Sequence, residues 1–423
     1  MEKVWPYTPA DSEEDRETVE NNAKTPFSAI KVVECGEGIP AAFGAKMLAD
    51  LGAEVIKVEP PEGDLARRRG PFPTDAVDPE RSGIFIYLNT NKRGVVADLK
   101  RPEGRELFGK LIADADVLIH NVPPPERAAQ GLESAALTAA HPKLIVTSIS
   151  IFGDTGPYAN WRGYDLTVAN AGGWAYLSPG ASPFADQPPL KCFGSQGDFQ
   201  GGVTAAMLTL AAYMNRLKTG KGQAIDVSEQ ECIAAMLEMN LMHWTYAHRE
   251  TSRLGSRLLG PWFIADCADG KIFALAVEEE QWKRLVELMG NPEWASEDLF
   301  KDRIARGQNQ DALKALMGEW LSQWKVQDLY REAQKRRIPF APVNTMRDLY
   351  ESEHLAERDF FVPIEQPGVG TVHLPGMPSK YARSQWALRR PAPRLGEHTE
   401  EVFCGDFGVT RDRLSELRKA GIA

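Results

Sequence analysis

Residues 194–202, GSQGDFQGG, place a single acid, Asp198, among glycines and small polar residues. An almost uncharged run follows, which we predict to be a helix from about Val203 to Leu217. Glycine permits positive φ and lets a ligand approach the backbone closely. A carboxylate on such a turn can act as a nucleophile, with the amides of the helix start available to stabilise negative charge. An aspartate before a helix is also typical of an N-cap, so this stretch alone leaves both interpretations open.

Length, composition and charge limit what the chain can be. A chain of 423 residues exceeds one typical core, so we expect two domains. Its 43% hydrophobic and 26% charged residues are typical of a soluble globular protein. The formal net charge of −10 argues against nucleic acid and anionic membranes as partners.

The cysteines and histidines are too dispersed for a metal site. The five cysteines contain no CxxC pair, and no pair among the seven histidines has metal-ligand spacing beside an acid. The dispersed cysteines indicate reduced thiols in a reducing compartment. We find no signal peptide and no apolar run of about 18 residues, and we therefore expect a cytoplasmic protein without a bound metal.

Strand and helix patterns alternate through the first half of the chain. Strand patterns begin near Ile30, Ala53, Gly94, Asp116 and Lys143, with helical patterns between them. This alternation predicts an α/β fold with a doubly wound parallel sheet.

The second half is organised differently. One more strand pattern is followed by a long predicted helix, from Glu229 to about Thr251. Its large apolar side chains, which are typical of a core or a subunit interface, are Met236, Met239, Met242 and Trp244. A hairpin that turns at Asp269-Gly270 then opens a segment of mixed strands and helices.

From these patterns we divide the chain into five segments. They are an acidic N-terminal tail at 1–27, a large domain at 28–228, a helical linker at 229–257, a small α+β domain at 258–344, and a segment at 345–423 that returns to pack on the large domain.

Loops beside the predicted strands carry residues suited to ligand binding. The turn at 36–44, GEGIPAAFG, does not match the dinucleotide fingerprint GxGxxG, because its third glycine comes too late and Pro40 occupies the turn. Arg67 to Arg69 suit either a phosphate or surface ion pairs. Lys100 follows a strand, where ligands bind in α/β sheets. The polar and aromatic loop at 152–173 suits either a binding role or a structural turn anchored by Tyr164.

Several of these stretches together resemble the class III CoA-transferase family, also called the CaiB/BaiF family. The motifs run in the family's order from about residue 28 to 410 and are MLADLGAEVIKVEPPEGD, LNTNKRGVVADLK, ADVLIHN, GDTGPYANWRGYD, GDFQGG, KTGKGQAIDVS, PFAPV and APRLGEHTEEVF. The resemblance implies an acyl-CoA:carboxylate CoA-transferase with a coenzyme A thioester as co-substrate and no tightly bound cofactor. It also implies a Rossmann-like large domain, a smaller domain and a homodimer of two interlocked rings.

The resemblance implies roles for individual residues. Asp198 would be the nucleophile, forming a mixed anhydride with the acyl group and then a thioester with the returning CoA thiolate. A carboxylate suits this step because its ordinary pKa, about 3.9, leaves it ionised at neutral pH. The residues implied in CoA binding are Ile39, Ala97, Asp98, Leu99, Lys100, Asn121, Val122, Arg162 and Tyr164. Asp165 and Gly197 are implied in the acyl pocket.

Three departures from the family pattern bear on the substrate. Ile39 stands where the formyl and oxalate enzymes carry a glutamine, and residues 254–262 are shorter and more apolar than their glycine-rich flap. Pro60 replaces an arginine that can contact the nucleotide, a loss for which Arg67 to Arg69 could compensate. The first two departures argue against a formyl or oxalate substrate and favour a larger, less polar acid.

Other activities on the same fold stay open at this point. An α-methylacyl-CoA racemase needs an acid and a base on opposite faces of the substrate carbon, and that branch uses a histidine at the position of Tyr164. A phenol is a far weaker base near pH 7. A non-catalytic CoA-binding paralogue is disfavoured by the intact Asp198 and its glycines. A lyase or a hydrolase acting through the same anhydride is a further alternative.

Overall fold

The structure is a computed structural model. It describes residues 25–423 except Asp75, Ala181, Pro183, Ala185, residues 255–257, Ala382, Arg383 and Gln385. Residues 1–24 of the predicted tail therefore lie outside the described residues. The chain divides into two compact units. Unit 1 consists of the described residues of Met1–Ala175, Lys191–Met242 and Asp359–Ala423, and unit 2 of those of Tyr176–Leu190 and His243–Arg358.

A six-stranded parallel sheet forms the centre of unit 1. Its strands are β1 Lys31–Cys35, β2 Glu54–Glu59, β3 Lys92–Val96, β4 Val117–His120, β5 Ile145–Ser150 and β6 Ala224–Ser228. The strand order is β3-β2-β1-β4-β5-β6, and every neighbouring pair is parallel. This is the order of the doubly wound folds, in which the connections reverse direction between β1 and β4. The predicted parallel α/β sheet is confirmed.

Both faces of this sheet are covered, which explains the apolar strands. Val32 and Val117 belong to a buried cluster with the first helix, whereas Val33 and Leu118 belong to a second cluster on the opposite face. Neighbouring strand residues point to opposite faces, so each strand contributes to both clusters.

The helices of unit 1 connect and cover these strands. They are α1 Pro40–Asp50, α2 Gly83–Asn89, α3 Pro102–Asp114, α4 Pro124–Gln130, α5 Ser134–Ala140, α6 Asp165–Ala171, α7 Gln196–Thr219, α8 Glu229–Ala235 and, at the boundary with unit 2, α9 Glu238–Ala247. The prediction that the central helix begins near Val203 is wrong, since α7 begins at Gln196 and includes Asp198. Its glycines allow close packing, because a Cβ on Gly202 would lie 2.7 Å from the Pro40 carbonyl oxygen of α1.

The prediction of one long helix from Glu229 to Thr251 is also wrong, because the structure has two shorter helices there, α8 and α9. Met236 and Leu237 donate backbone hydrogen bonds to carbonyls three residues earlier, which closes α8 in a tight turn. The four large apolar residues of this stretch are between 41% and 65% exposed, so they do not fill a core of this chain. The alternative, a subunit interface, stays a prediction.

Unit 2 combines a small antiparallel sheet with helices around its own core. Strands β7 Trp262–Asp266 and β8 Lys271–Leu275 form the predicted hairpin, and β9 Ala341–Pro342 pairs with β8. The helices are α10 Glu279–Leu288, α11 Arg303–Gln308, α12 Gln310–Leu321, α13 Val326–Lys335, α14 Met346–Tyr350 and α15 Glu353–Glu357. Trp282, Met317 and Phe340 are buried in its core.

The C-terminal segment belongs to unit 1 from Asp359 onward. It forms an antiparallel hairpin, β10 Phe361–Gln366 and β11 Gly370–Pro375, and the helix α16 Arg411–Lys419. Phe403 and Leu417 are buried with β1 and α3 in one of the two clusters of the central sheet. Across the described part of the chain, no helix is long and apolar enough to pass through a bilayer.

Candidate active site

A cavity of about 830 Å³ opens in unit 1 at the carboxyl ends of the parallel strands. Its walls include residues that directly follow β1, β2, β4 and β5, and the turn beyond β3. The topological switch point between β1 and β4, where the connections reverse direction, therefore opens into this cavity. Ligands of doubly wound sheets bind in this place, because the reversal of the connections leaves a crevice there.

The cavity brings together nearly all the residues predicted for the site. Those that line it are Ile39, Ala97, Asp98, Leu99, Lys100, Asn121, Val122, Arg162, Tyr164, Asp165 and Asp198. Gly197 is buried beside it, and a Cβ there would lie 3.0 Å from the Asp165 Oδ1 atom. Lys100 follows β3, as expected, and lies in the turn between β3 and α3 because the strand already ends at Val96. The roles assigned to these residues stay predictions.

Asp198 lies in the first turn of α7, so the expectation of a turn just before the helix is wrong. The Ser195 hydroxyl hydrogen-bonds to the Asp198 carboxylate and also accepts a hydrogen bond from Arg69, with 3.2 Å between Nη2 and Oγ. Arg69 thus reaches the carboxylate through the hydroxyl of Ser195.

The surroundings of Asp198 weaken its acidity. Burial is the largest cause and the nearby Asp165 the second, and together they raise the pKa of Asp198 to about 6. Arg69, the Ser195 hydroxyl and Lys191 oppose the rise. The carboxylate is therefore ionised at neutral pH and carries less stabilising solvation than an exposed aspartate.

Asp165, the first residue of α6, holds the start of α7 in place. Its Oδ1 accepts hydrogen bonds from the backbone N–H groups of Gly197 at 2.7 Å and of Asp198 at 3.3 Å. Its Oδ2 pairs with Lys191 at 2.8 Å. The expectation that the amides of the helix start are available to a substrate is therefore wrong for these two groups, since Asp165 already accepts both.

The glycine turn after β1 is fixed by two side chains. Asn121 accepts from the Glu37 N–H at 3.0 Å and donates to the Glu37 carbonyl at 2.7 Å. Gly36, at φ 143°, must be glycine, because a Cβ there would lie 1.8 Å from the Asn121 Oδ1 atom. Asp64 accepts the Gly38 N–H at 2.8 Å. The Asn121 side-chain amide therefore stabilises the turn through hydrogen bonds, and Asn121 also lines the cavity.

The three adjacent arginines have different environments. Arg67 is buried and forms a bidentate ion pair with Glu59, at 2.7 Å from Nε to Oε2 and 2.8 Å from Nη2 to Oε1. A phosphate role for Arg67 is therefore wrong. Arg68 donates to the Glu62 carbonyl, and only Arg69 of the three lines the cavity.

The cavity mouth carries exposed polar groups. Lys100 forms no salt bridge with any residue that the structure describes, which leaves its ammonium group accessible. Arg162 pairs with Glu126 at 2.9 Å in an exposed position, and Tyr164 is 82% exposed. Such groups suit a large polyanionic ligand at the entrance and its smaller reacting end inside.

Glu229 is a cavity residue that the sequence reasoning missed. It is the first residue of α8 and only 2% exposed. An acid in the first turn of a helix after a capping serine is typical of an exposed helix start. The one sequence feature that points to Glu229 is Gly201, because a glycine there leaves space for the Glu229 side chain. That inference requires knowing that α7 and α8 are in contact, which the sequence does not show.

The fold and site define a doubly wound α/β protein with a desolvated carboxylate in its switch-point cavity. The chain belongs to the CoA-transferase family III, whose family model matches residues 27–399. The predicted family and the predicted CoA-transferase activity are thereby confirmed.

Relatives resemble this chain over most of their length. A succinate–glutarate CoA-transferase of Agrobacterium fabrum is 33% identical over 90% of this chain and 96% of its own. An acetyl-CoA:oxalate CoA-transferase of Acetobacter aceti is 31% identical over 90% of this chain and 96% of its own. The crystal structure of a CaiB/BaiF family protein from Brucella suis superposes with a TM-score of 0.81 at 32% identity, covering 90% of this chain and 99% of that chain.

Proposed function

We propose that the enzyme moves CoA from an acyl-CoA donor to a carboxylic acid acceptor through covalent intermediates on Asp198. An Asp198 oxygen attacks the thioester carbonyl, a C–O bond forms, and the C–S bond breaks to release CoA thiolate. The thiolate then attacks the Asp198 carbonyl of the anhydride, which releases the donor acid and leaves an aspartyl-CoA thioester. The acceptor carboxylate attacks that thioester, and the thiolate attacks the acceptor side of the new anhydride. No net proton is consumed.

The observation that carries this proposal is the environment of Asp198. Its carboxylate faces the switch-point cavity, and burial raises its pKa to about 6, so it is ionised yet poorly solvated at pH 7. A desolvated carboxylate is a better nucleophile than a hydrated one. Water must stay outside because an anhydride hydrolyses readily.

For the CoA moiety, we assign the wall after β3 and β4. Ala97 to Lys100, Asn121 and Val122 form this wall, with Lys100 as the unpaired cation for a phosphate. The other groups assigned to CoA are Ile39, Arg162 and Tyr164. The acyl group then extends inward toward Asp165, Gly197 and Asp198.

Relatives guide the choice of substrates. One is named for succinate and glutarate, and another is a succinyl-CoA:(R)-benzylsuccinate CoA-transferase of Thauera aromatica, 31% identical over 92% of this chain and 97% of its own. We therefore propose succinyl-CoA as the first donor to test. Because another relative is named for oxalate, the proposal of an acceptor larger than formate or oxalate rests on Ile39 and the apolar sequence at 254–262.

We also propose that two chains form an interlocked homodimer in the cytoplasm, with the large domain at 28–228 and the small domain at 258–344 joined by the segment 229–257. The exposed apolar side chains of Met239 and Trp244 support a covering partner. Light scattering after gel filtration should give twice the monomer mass. Differently labelled dimers should exchange subunits only after unfolding, and rapid exchange would contradict interlocking.

The mechanism is tested by trapping the acyl group. Enzyme incubated with succinyl-CoA and hydroxylamine should carry a hydroxamate on Asp198, located by peptide mass analysis. Asp198→Asn should lower kcat on the order of 10³-fold or more, because the nucleophile is lost. Asp412→Asn, an exposed acid in the first turn of α16, is the matched control and should keep full activity. Undiminished transfer by Asp198→Asn would refute the proposal.

The racemase alternative lacks its base. No histidine is found among the described residues that line the cavity, and Tyr164 is 82% exposed at its mouth. Deuterium incorporation at the α-carbon of an acyl-CoA without net transfer would favour the racemase over our proposal.

A further inference from the structure

Glu229 lies against the same helix as Asp198, one turn further along. A Cβ placed on Gly201 of α7 would lie 2.9 Å from the Glu229 Cγ atom and 3.4 Å from its Oε1 atom. Gly201 follows Asp198 by three residues, so both face the same side of α7. Both Glu229 and Asp198 line the cavity. Glycine at 201 thus lets a second carboxyl group reach the neighbourhood of the first.

Among the residues that the structure describes, no hydrogen-bond or ion-pair partner stabilises a charge on the Glu229 carboxyl group. Its Oε2 atom is fully buried and lacks a hydrogen-bond partner among the described residues. It forms no salt bridge with any described lysine, arginine or histidine. A buried, unpaired carboxylate is strongly unfavourable, whereas a buried carboxylic acid keeps a proton to donate.

The charged groups around Glu229 also favour its neutral form. Asp198 on α7 and Asp165 on α6 both act on it, while Glu231 and Cys232 lie on its own helix. Burial is the largest cause and the two aspartates follow, and together they raise the pKa of Glu229 to about 8.

The nearby cations do not offset these acids at Glu229. Lys191 is engaged by Asp165, and Arg69 is bound to Ser195. Their charges act on Asp198, whose pKa they lower, and neither contributes to the pKa of Glu229.

The site needs a donor for the oxygen that becomes negative during acyl transfer. The N–H groups of Gly197 and Asp198 donate to Asp165, and the Phe199 N–H donates to the Ser195 carbonyl. Lys191 already has three acceptors, the Asp165 carboxylate and the carbonyl oxygens of Cys192 and Gly194. Arg69 and a protonated Glu229 are two described side chains of the cavity that have donor capacity left.

We propose that Glu229 is a catalytic residue that acts as a neutral carboxylic acid and donates a hydrogen bond to the carbonyl oxygen of the acyl group bound at Asp198. This inference rests on the proposed function. When the Asp198 oxygen bonds to the acyl carbon, the π electrons of the carbonyl move to its oxygen, and the Glu229 O–H stabilises that oxyanion. When the C–S bond breaks, the carbonyl reforms, and the proton never leaves Glu229.

This arrangement gives the two carboxyl groups opposite ionisation requirements. Asp198 must be ionised and Glu229 must be protonated, so kcat/KM should fall on both sides of a window between about pH 6 and 8. The alkaline limb then belongs to Glu229 and can be removed by a side chain that donates without titrating.

Two variants of similar size separate donation from packing. Glu229→Gln keeps a donor, so it should retain kcat within about tenfold and lose the alkaline limb. Glu229→Met fills the space without a donor, so its kcat should fall about 10²-fold, while its melting temperature equals or exceeds that of the wild type. Glu231→Gln, on the exposed side of the same helix, is the control and should keep the wild-type profile.

The readouts distinguish this inference from the function on which it rests. Hydroxylamine trapping at Asp198 is measured in parallel on the wild type and each variant. A labelled Asp198 with an alkaline limb retained in Glu229→Gln, or with an unchanged kcat in Glu229→Met, overturns the role of Glu229 alone. A wild-type enzyme that transfers CoA without label at Asp198 overturns the proposed mechanism and this inference with it.

Discussion

Asp165→Asn tests whether Asp165 controls both the position and the charge of the candidate nucleophile. The wild-type carboxylate accepts the N–H groups of Gly197 and Asp198 and pairs with Lys191 at 2.8 Å. Asparagine keeps one oxygen for the two amides, but it loses the charge and turns an NH₂ group or a neutral oxygen toward Lys191.

The loss of stability follows from these three contacts. A hydrogen bond to a charged group contributes about 1 kcal/mol more than a neutral one, and two such bonds become neutral. The ion pair adds about 1 kcal/mol at most, because the Lys191 side chain is 27% exposed and partly screened. We therefore expect Asp165→Asn to lower the free energy of unfolding by about 2–3 kcal/mol.

The same change moves the pH dependence in a defined direction. Asp165 is the second cause of the raised pKa of Asp198, so its neutralisation lowers that pKa. Activity that depends on ionised Asp198 is lost as pH falls through about 6 in the wild type. In the variant this acid limb should lie lower by up to about 1 pH unit, so more of the plateau kcat/KM survives at pH 5.5.

The assay is kcat/KM for CoA transfer from pH 4.5 to 8, together with thermal and urea unfolding. Glu126→Gln is the control, because Glu126 lines the same cavity but does not contribute to the pKa of Asp198. An acid limb in Asp165→Asn that stays in place or moves to higher pH would refute the electrostatic argument. Unchanged unfolding would refute the role of Asp165 in holding α7.

Three further changes test separate parts of the site. Lys100→Ala should raise KM for the acyl-CoA about tenfold with little change in kcat, because a charged hydrogen bond to phosphate is lost; steady-state kinetics would contradict this if kcat fell instead. Gly201→Ala should destabilise by about 1–2 kcal/mol and lower kcat, because its methyl group displaces Glu229; unfolding and kinetics equal to the wild type would exclude that contact. Arg67→Met should destabilise by about 3–5 kcal/mol by leaving Glu59 buried and unpaired, and a stable variant with a raised KM would restore a phosphate role.

The sequence predicted the parallel sheet well because its signals are local. Strand patterns and the turns between them lie within a few residues, and the Asp269-Gly270 hairpin appears where predicted. The start of α7 was missed because Gly197 and Gly201 look like a loop in sequence. In the structure they allow side chains of α6 and α8 to contact the helix closely, which is a property of tertiary packing.

The same limit applies within the site. Candidate residues around the cavity could be predicted because they follow strands whose carboxyl ends must converge. The sequence could not predict that Arg67 is buried in an ion pair while Arg69 lines the cavity. This difference depends on which of the adjacent arginines points toward Glu59. Glu229 was missed for a related reason. Its burial results from a contact with a helix that lies well before it in sequence, and no local pattern reports that contact.

The cavity combines acids whose environments differ in a way that suits acyl transfer. Moving the pKa of Asp198 from 3.8 to about 6 corresponds to about 3 kcal/mol by which the folded state disfavours the carboxylate. Because the folded-state pKa is raised, this cost grows as pH rises from 3.8 and is complete above about 6, where the enzyme needs the ion. An ionised Glu229 would further raise the free-energy cost of ionising Asp198 by charge repulsion. A neutral Glu229 adds no such repulsion, and its O–H group can donate a hydrogen bond. The instability of Asp198 as an ion and the neutrality of Glu229 are therefore two consequences of the same burial.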